Sequence, residues 1–330
     1  LIQHNVRKIE KTLTTGNPDG EEVIVLEASS EEGEALNLVN EITELTKSRG
    51  YDYQDIAVLY RANFQSRVIE EIFSQHKIPY HIENGQNFYN RAEIRHLLSY
   101  LRVIANPHSE EADEALLGIL NVPNRYISRK IMRELEEFSD KHKVHLYQGL
   151  KQFPIDLPYV RHNVREFISF MDPLVDYANN MSPAEIIGII RNSLDYDRFV
   201  TDEDMPAPDD VKIQNINQLL LSATRYSDIK SFLAYVDTFQ DVEITDSKEG
   251  VALMTIHKAK GLEFPVVFVI GLIEGITPTK KGDIEEERRI VFVAISRAME
   301  LLYLSYSHTY MGQSCQKSIF LDEILGIKEK

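Results

Sequence analysis

The stretch Ile56-Ala57-Val58-Leu59-Tyr60-Arg61-Ala62-Asn63-Phe64-Gln65-Ser66-Arg67 decides the fold. Its first five residues form a nearly continuous apolar run, the pattern of a strand covered on both faces. The period then changes. From residue 63 to 75 the apolar residues Val68, Ile69, Ile72 and Phe73 recur at helical spacing. A buried strand that feeds a helix is the building unit of a parallel sheet. Working outward, residues 23–27, 252–256, 266–270 and 301–305 read as further strands, and 31–48 and 284–299 as helices. On the 31–48 helix, Leu38, Ile42 and Leu45 share one face.

Residues 107–248 follow another rule. Helical periodicity runs over 111–120, 128–142, 160–177, 183–195, 211–224 and 229–240, and strand candidates are nearly absent. Turn-forming residues mark the joints, at Asn106-Pro107, Phe153-Pro154, Met205-Pro206-Ala207-Pro208 and Lys248-Glu249-Gly250. The expectation is an α/β domain built from 1–106 and 249–330, interrupted by an all-helical insertion over 107–248.

Composition sets limits on function. The 330 residues are 43% hydrophobic and 27% charged, ordinary for a soluble domain. No apolar run approaches the roughly 20 residues that span a bilayer. The first residues lack the apolar core of a signal peptide. The chain does not begin with Met, so a longer parent protein is expected. The single cysteine, Cys315, excludes an internal disulfide and fits a reducing, cytoplasmic setting. The net charge is −16, and 107–248 carries 25 acidic against 15 basic residues. A broad basic footprint is therefore absent, and any nucleic-acid contact must be local.

Three segments carry candidate chemistry. In the first, Tyr60-Arg61 follows a buried strand, where parallel sheets bind ligands. An aromatic there can stack on a base and an arginine can grip phosphate, although an ordinary strand-end arginine fits equally. The second is Leu253-Met254-Thr255-Ile256-His257-Lys258-Ala259-Lys260-Gly261-Leu262-Glu263-Phe264-Pro265. Thr255 and His257 can bond phosphate oxygens, Lys258 adds charge, and Glu263 can accept from ribose hydroxyls. A solvated loop is the alternative. The third, Glu285-Glu286-Glu287-Arg288-Arg289-Ile290-Val291-Phe292-Val293-Ala294-Ile295-Ser296-Arg297-Ala298, sets Arg297 on the apolar stripe of Ile290, Val293 and Ala294. A charge aimed at a packed face needs an acidic partner, for which Glu263 is a candidate, or an anionic ligand. His142 and His145 have a loose metal-like spacing, but no Cys or carboxylate set completes a site; Asp202, Glu203, Asp204, Asp209 and Asp210 lack the EF-hand spacing and glycine and read as a solvated loop.

In order, these segments resemble motifs IV, V and VI of the UvrD/PcrA/Rep helicases of superfamily 1. Phe88-Tyr89-Asn90-Arg91-Ala92-Glu93-Ile94, continuing to Tyr100-Leu101-Arg102-Val103-Ile104-Ala105-Asn106-Pro107, resembles the family's linker into its insertion. The resemblance covers almost the whole chain and implies a RecA-like lobe, 2A, interrupted by a helical subdomain, 2B. It implies ATP with Mg2+, clamped against an N-terminal RecA-like lobe that supplies the Mg2+ ligands. Tyr60 would stack on adenine, Arg61 and Arg297 would reach the γ-phosphate as arginine fingers, and Glu263 would meet the ribose. Thr255, His257 and Lys258 would hold single-stranded DNA, moved with 3′→5′ polarity. Such arginines contribute on the order of 10³–10⁵ in rate in well-studied phosphoryl transfers. DNA repair, replication and fork restart all use this architecture.

Two departures stand beside the resemblance. The sequence has no G-x-x-x-x-G-K-[ST] loop and no strand ending in Asp-Glu, so this chain is expected not to hydrolyse ATP alone. Where many members carry a Gly-Ile-Gly turn that touches duplex DNA, this chain reads Val122-Pro123-Asn124-Arg125-Tyr126-Ile127-Ser128. Arg125, Arg129, Lys130 and Arg133 offer partial compensation for contact with a duplex junction, with a solvated helix face as the favoured reading of them. The competing reading is a non-catalytic module that docks on DNA or protein. Arginines at both motif positions favour the enzyme. A helicase–nuclease is disfavoured, because no carboxylate–lysine cluster follows residue 307, and the tail Ile319-Phe320-Leu321-Asp322-Glu323-Ile324 resembles the family's closing helix.

Overall fold

The computed structural model describes residues 1–7, 20–83, 85–240 and 249–327. In chain order the first elements are β1 (Ile24–Ala28), α1 (Glu31–Ser48), β2 (Ile56–Tyr60), α2 (Ser66–Gln75) and β3 (Tyr80–Ile82). Nine helices follow: α3 (Ala92–Ala105), α4 (Glu110–Ile119), α5 (Arg129–His142), α6 (Leu146–Gln152), α7 (Pro158–Asp176), α8 (Pro183–Ser193), α9 (Tyr196–Thr201), α10 (Val211–Ala223) and α11 (Ile229–Gln240). The chain then returns to strands with β4 (Val251–Thr255), β5 (Phe264–Val269), α12 (Ile284–Ile295), β6 (Ala298–Ser307) and α13 (Ile319–Leu325). The fold is α/β, a RecA-like parallel sheet whose sequence is interrupted by helices.

Two compact units result. One comprises Leu1–Phe88 with Val242–Lys330, the other Tyr89–Asp241. The sequence reading set the joints at 106/107 and 248/249, and Lys248 lies outside the described residues. Helix α3 packs on α4, α7, α8, α10 and α11, all in the second unit. The resemblance implies a linker over this segment. Its buried residues Ile94, Leu97, Leu98, Leu101, Val103 and Ile104 make it a central helix instead.

In the first unit the six strands run parallel in the order β1-β6-β5-β2-β4-β3. The pleat sends alternate residues to opposite faces. Ile56, Val58 and Tyr60 join Leu38, Ile42, Val68, Ile69 and Phe73 in one core, under α1 and α2. Ala57 and Leu59 join Met254, Val269, Val291, Ala294 and Phe320 in the other, under α12 and α13. Both faces of β2 are therefore dry, which is why its sequence is continuously apolar. Ser30 caps α1 by accepting from the Gly33 amide, 3.2 Å away, and Glu31, Glu32 and Glu34 favour its positive end.

Two local expectations are corrected. The 284–299 helix stops at Ile295, and residues 298 and 299 belong to β6. Ala298 and Met299 suit a helix by propensity, but the ladder with β5 begins at Phe264↔Ala298 and takes them into the sheet. Strand β3 was not anticipated. Its three residues pair along β4 at one edge of the sheet, too short a run to show a period.

Candidate functional site

The site residues distribute over two opposite edges of the first unit's sheet. At the carboxyl edge, β2 and β4 end side by side, with Tyr60 in register with Thr255. The Tyr60 carbonyl accepts from the Ile256 amide at 2.9 Å. The chain after Thr255 then folds into a tight turn. The Thr255 carbonyl accepts from the amides of Lys258 and Ala259, at 2.9 and 3.2 Å. Ala259 is buried and anchors the turn, while His257 and Lys258 point outward and are exposed. The Lys258 ammonium donates to the Glu83 carbonyl at 3.1 Å. Thr255, His257 and Lys258 are thus brought together on one exposed corner.

The same segment runs back to the amino edge. Gly261 takes a φ of 87°, in the left-handed region where a side chain is strained. Glu263 follows and is exposed. Beside it, the Phe264 amide donates to the Arg297 carbonyl at 3.0 Å, so Glu263 and Arg297 flank one ladder position. The Arg297 guanidinium donates to the Val293 carbonyl at 3.0 Å, the Leu262 carbonyl at 2.9 Å and the Ser296 hydroxyl at 3.0 Å. The ion pair with Glu263, one of the two candidates for Arg297, is not formed. Among the described residues, no carboxylate lies within ion-pair distance of Arg297.

Tyr60 and Arg61 are not gathered with these two. Tyr60 is 1% exposed and packed under α1 and α2. Arg61 leaves the carboxyl end of β2 on the other face. Its Nε and Nη2 donate to Glu287 Oε2 and Oε1 at 3.0 and 2.7 Å, a bidentate pair. Glu287 is 3% exposed and also accepts from the Thr279 amide and hydroxyl, both at 3.2 Å. Burial opposes the Glu287 charge, but Arg61 and Thr279 outweigh it and hold the carboxyl below its ordinary pKa. The length of β5, roughly 17 Å at the usual rise per residue, separates the two edges. Arg61 and Arg297 therefore lie at opposite edges of the sheet.

Sequence reasoning missed a buried acidic anchor. Glu34 on α1 accepts from the Gly271 amide at 2.9 Å and from the Ser305 hydroxyl. Burial raises its pKa against both bonds. It ties α1 to the carboxyl ends of β5 and β6. The only signal in sequence was a third glutamate in the first turn of α1, indistinguishable there from its neighbours.

In the second unit, Arg125 is 8% exposed and faces inward. Its Nη1 donates to the carbonyls of Ile119, Leu120, Val122 and Pro123 at 3.0–3.2 Å, and its Nη2 to the Tyr100 hydroxyl at 3.0 Å. It therefore closes the end of α4. Arg129 and Lys130 remain exposed on α5. Tyr126, at the first of the family's glycine positions, adopts a φ of 59° with its ring in solvent. Among the described residues, no cluster of three or more His, Cys, Asp or Glu is placed to hold a metal ion, and no helix is long and apolar enough to cross a membrane.

Comparisons with known proteins show the family. The family described as UvrD-like helicase C-terminal domain matches residues 1–309. ATP-dependent DNA helicase PcrA of Staphylococcus epidermidis is 35% identical over 98% of this chain and 47% of its own length. PcrA of Staphylococcus aureus is 33% identical over 98% of the chain and 47% of its length. ATP-dependent DNA helicase Rep of Buchnera aphidicola is 32% identical over 95% of the chain and 51% of its length. The chain spans about half the length of the curated relatives it matches. A match over almost the entire chain, with a parallel sheet bearing the motif residues at its edges, makes this chain a member of the UvrD-like helicase C-terminal domain family, the C-terminal half of a UvrD/PcrA/Rep-type helicase.

Proposed function

We propose that this chain is the second motor lobe of an ATP-dependent 3′→5′ DNA helicase, working in the cytoplasm with a first RecA-like lobe that binds Mg2+ and the phosphates. Glu263 and Arg297 are the nucleotide-facing residues, with Arg297 the arginine finger. Thr255, His257 and Lys258 hold the backbone of single-stranded DNA at the opposite edge. Tyr60 and Arg61 are the further candidates for adenine and the γ-phosphate; Tyr60 is buried and Arg61 is paired with Glu287, so both side chains must change partners to reach a nucleotide.

One observation carries the reading. Arg297 presents its charge at the sheet edge, oriented by two carbonyls and a hydroxyl, with no carboxylate near it among the described residues. A guanidinium held by neutral acceptors keeps its full charge for an incoming anion. The γ-phosphate of ATP, presented by a partner lobe, is such an anion. Without a phosphate-binding loop in this sequence, the lobe is inactive alone.

The test is Arg297→Ala in a protein carrying both lobes. Turnover should fall by at least about 10³, the lower end of what a finger supplies, while nucleotide affinity changes far less. Normal turnover would remove Arg297 from the catalytic role. The alternative, a non-catalytic docking module, predicts DNA binding indifferent to ATP and to this substitution.

A further inference from the structure

We propose that Glu34 is a proton-operated latch: as a neutral acid it ties α1 to the carboxyl ends of β5 and β6, and on losing its proton it lets them part. This device is independent of the roles given to Arg297 and to the strand-facing turn.

The geometry suits an acid better than an ion. Glu34 lies in the first turn of α1 and is 3% exposed. Among the described residues, no lysine, arginine or histidine is within ion-pair distance of it. Both of its donors converge on one oxygen. Glu34 Oε1 accepts from the Gly271 amide at 2.9 Å and from the Ser305 hydroxyl. The carbonyl oxygen of a carboxylic acid has the two lone pairs this needs, which leaves the proton to Oε2. The charged groups around it do not favour ionisation. Glu31, in the same turn of α1, adds a second negative charge, and both of its oxygens accept from the Met311 amide at 3.0 Å. On α2, Arg67 is spent on Glu71, at 2.8 and 2.9 Å, and Glu70 accepts from the Phe88 amide. Past the end of β6, Tyr310 is a buried phenol that burial keeps neutral.

Burial, with Glu31, pushes the Glu34 carboxyl up against the pull of its two hydrogen bonds. Deprotonation leaves an unpaired charge in a dry site, which is costly. The cost is relieved when α1 moves off the ends of β5 and β6 and admits water. Gly271 is then released, and its φ of 65° is what turns the chain off β5 toward α12. A carboxyl raised in the folded state contributes stability fully below its unfolded pKa and loses that contribution as pH rises through the folded value. The latch therefore weakens with rising pH, in a window that begins above the ordinary glutamate value of about 4.3.

The experiment compares the parent with Glu34→Gln, in the protein carrying both lobes, between about pH 6 and about pH 9. Glutamine reproduces the neutral acid, with a carbonyl oxygen to accept both bonds and no acid proton to lose. The infrared carbonyl stretch of a protonated carboxylic acid should appear in the parent at about pH 6, where an ordinary glutamate is ionised. The part of it due to Glu34 should be missing from Glu34→Gln. Exchange protection of the Gly271 amide should fall at least about tenfold across the range in the parent, the worth of one pKa unit, and less than about twofold in Glu34→Gln. Glu31→Gln should keep the fall in protection. Loss of the fall in Glu31→Gln, with its retention in Glu34→Gln, would move the proton to Glu31 and overturn the proposal. Identical infrared bands or parallel protection profiles in parent and Glu34→Gln would also overturn it. So would a Glu34→Gln protein that fails to fold, because the site would then require the ionised carboxylate.

Discussion

Two arginines on the same sheet meet different surroundings, and the surroundings set what each can do. Arg61 faces a buried carboxylate, so its charge is neutralised within the chain. Arg297 faces carbonyls and a hydroxyl, so its charge is not. The same reasoning separates His257 from Lys258 at the other edge. His257 offers a hydrogen bond, while Lys258 also offers a cation that releases counterions. His257→Ala should weaken oligothymidylate binding by about threefold to tenfold, the worth of one hydrogen bond, without altering its salt dependence. Lys258→Ala should flatten the slope of log affinity against log salt by about 0.7. A fluorescence-anisotropy titration at several salt concentrations measures both. An unchanged slope in Lys258→Ala would remove that residue from the strand contact. The residue types at these positions were legible in the sequence. Their partners were not, because Arg61 and Glu287 lie 226 positions apart and only the folded sheet brings them together.

Elements were legible where their patterns were long. The 31–48 helix appears with the bounds expected, because a capped acidic start and a heptad-length apolar face agree. The end of α12 was not legible, because its residues serve equally in a helix and only the partner strand decides. Arg125 shows the same limit in the second unit. Beside Arg129 and Lys130, its sequence position suggests a solvated helix face. In the structure it occupies the place where α4 ends, filling carbonyls that the helix leaves unpaired. Its guanidinium also lies 4.5 Å from the centre of the Phe167 ring, tying α7 to the same corner. Arg125→Met should therefore destabilise the second unit by about 2–3 kcal/mol, as lost hydrogen bonds to a charged group do, and leave DNA affinity unchanged. Denaturant unfolding checks the first and anisotropy the second. Unaltered stability with weaker DNA binding would reverse the assignment.

At the scale of the molecule, the interrupted architecture was legible from the change of period at both ends of the insertion. The assignment of α3 was not, since an amphipathic helix next to a joint can pack on either side. Charge also makes sense only at this scale. A chain with a net charge of −16 repels DNA at long range, so the strand contact proposed for Thr255, His257 and Lys258 would have to be close and oriented. The central claim is that the chain is one half of a two-part motor. The most direct measurement is ATP turnover, with and without oligothymidylate, by this chain alone and by the same chain joined to a first RecA-like lobe carrying a phosphate-binding loop. The chain alone should show no turnover, and the joined protein should show strand-stimulated turnover. Turnover by the chain alone, or a joined protein whose rate ignores the strand, would contradict it.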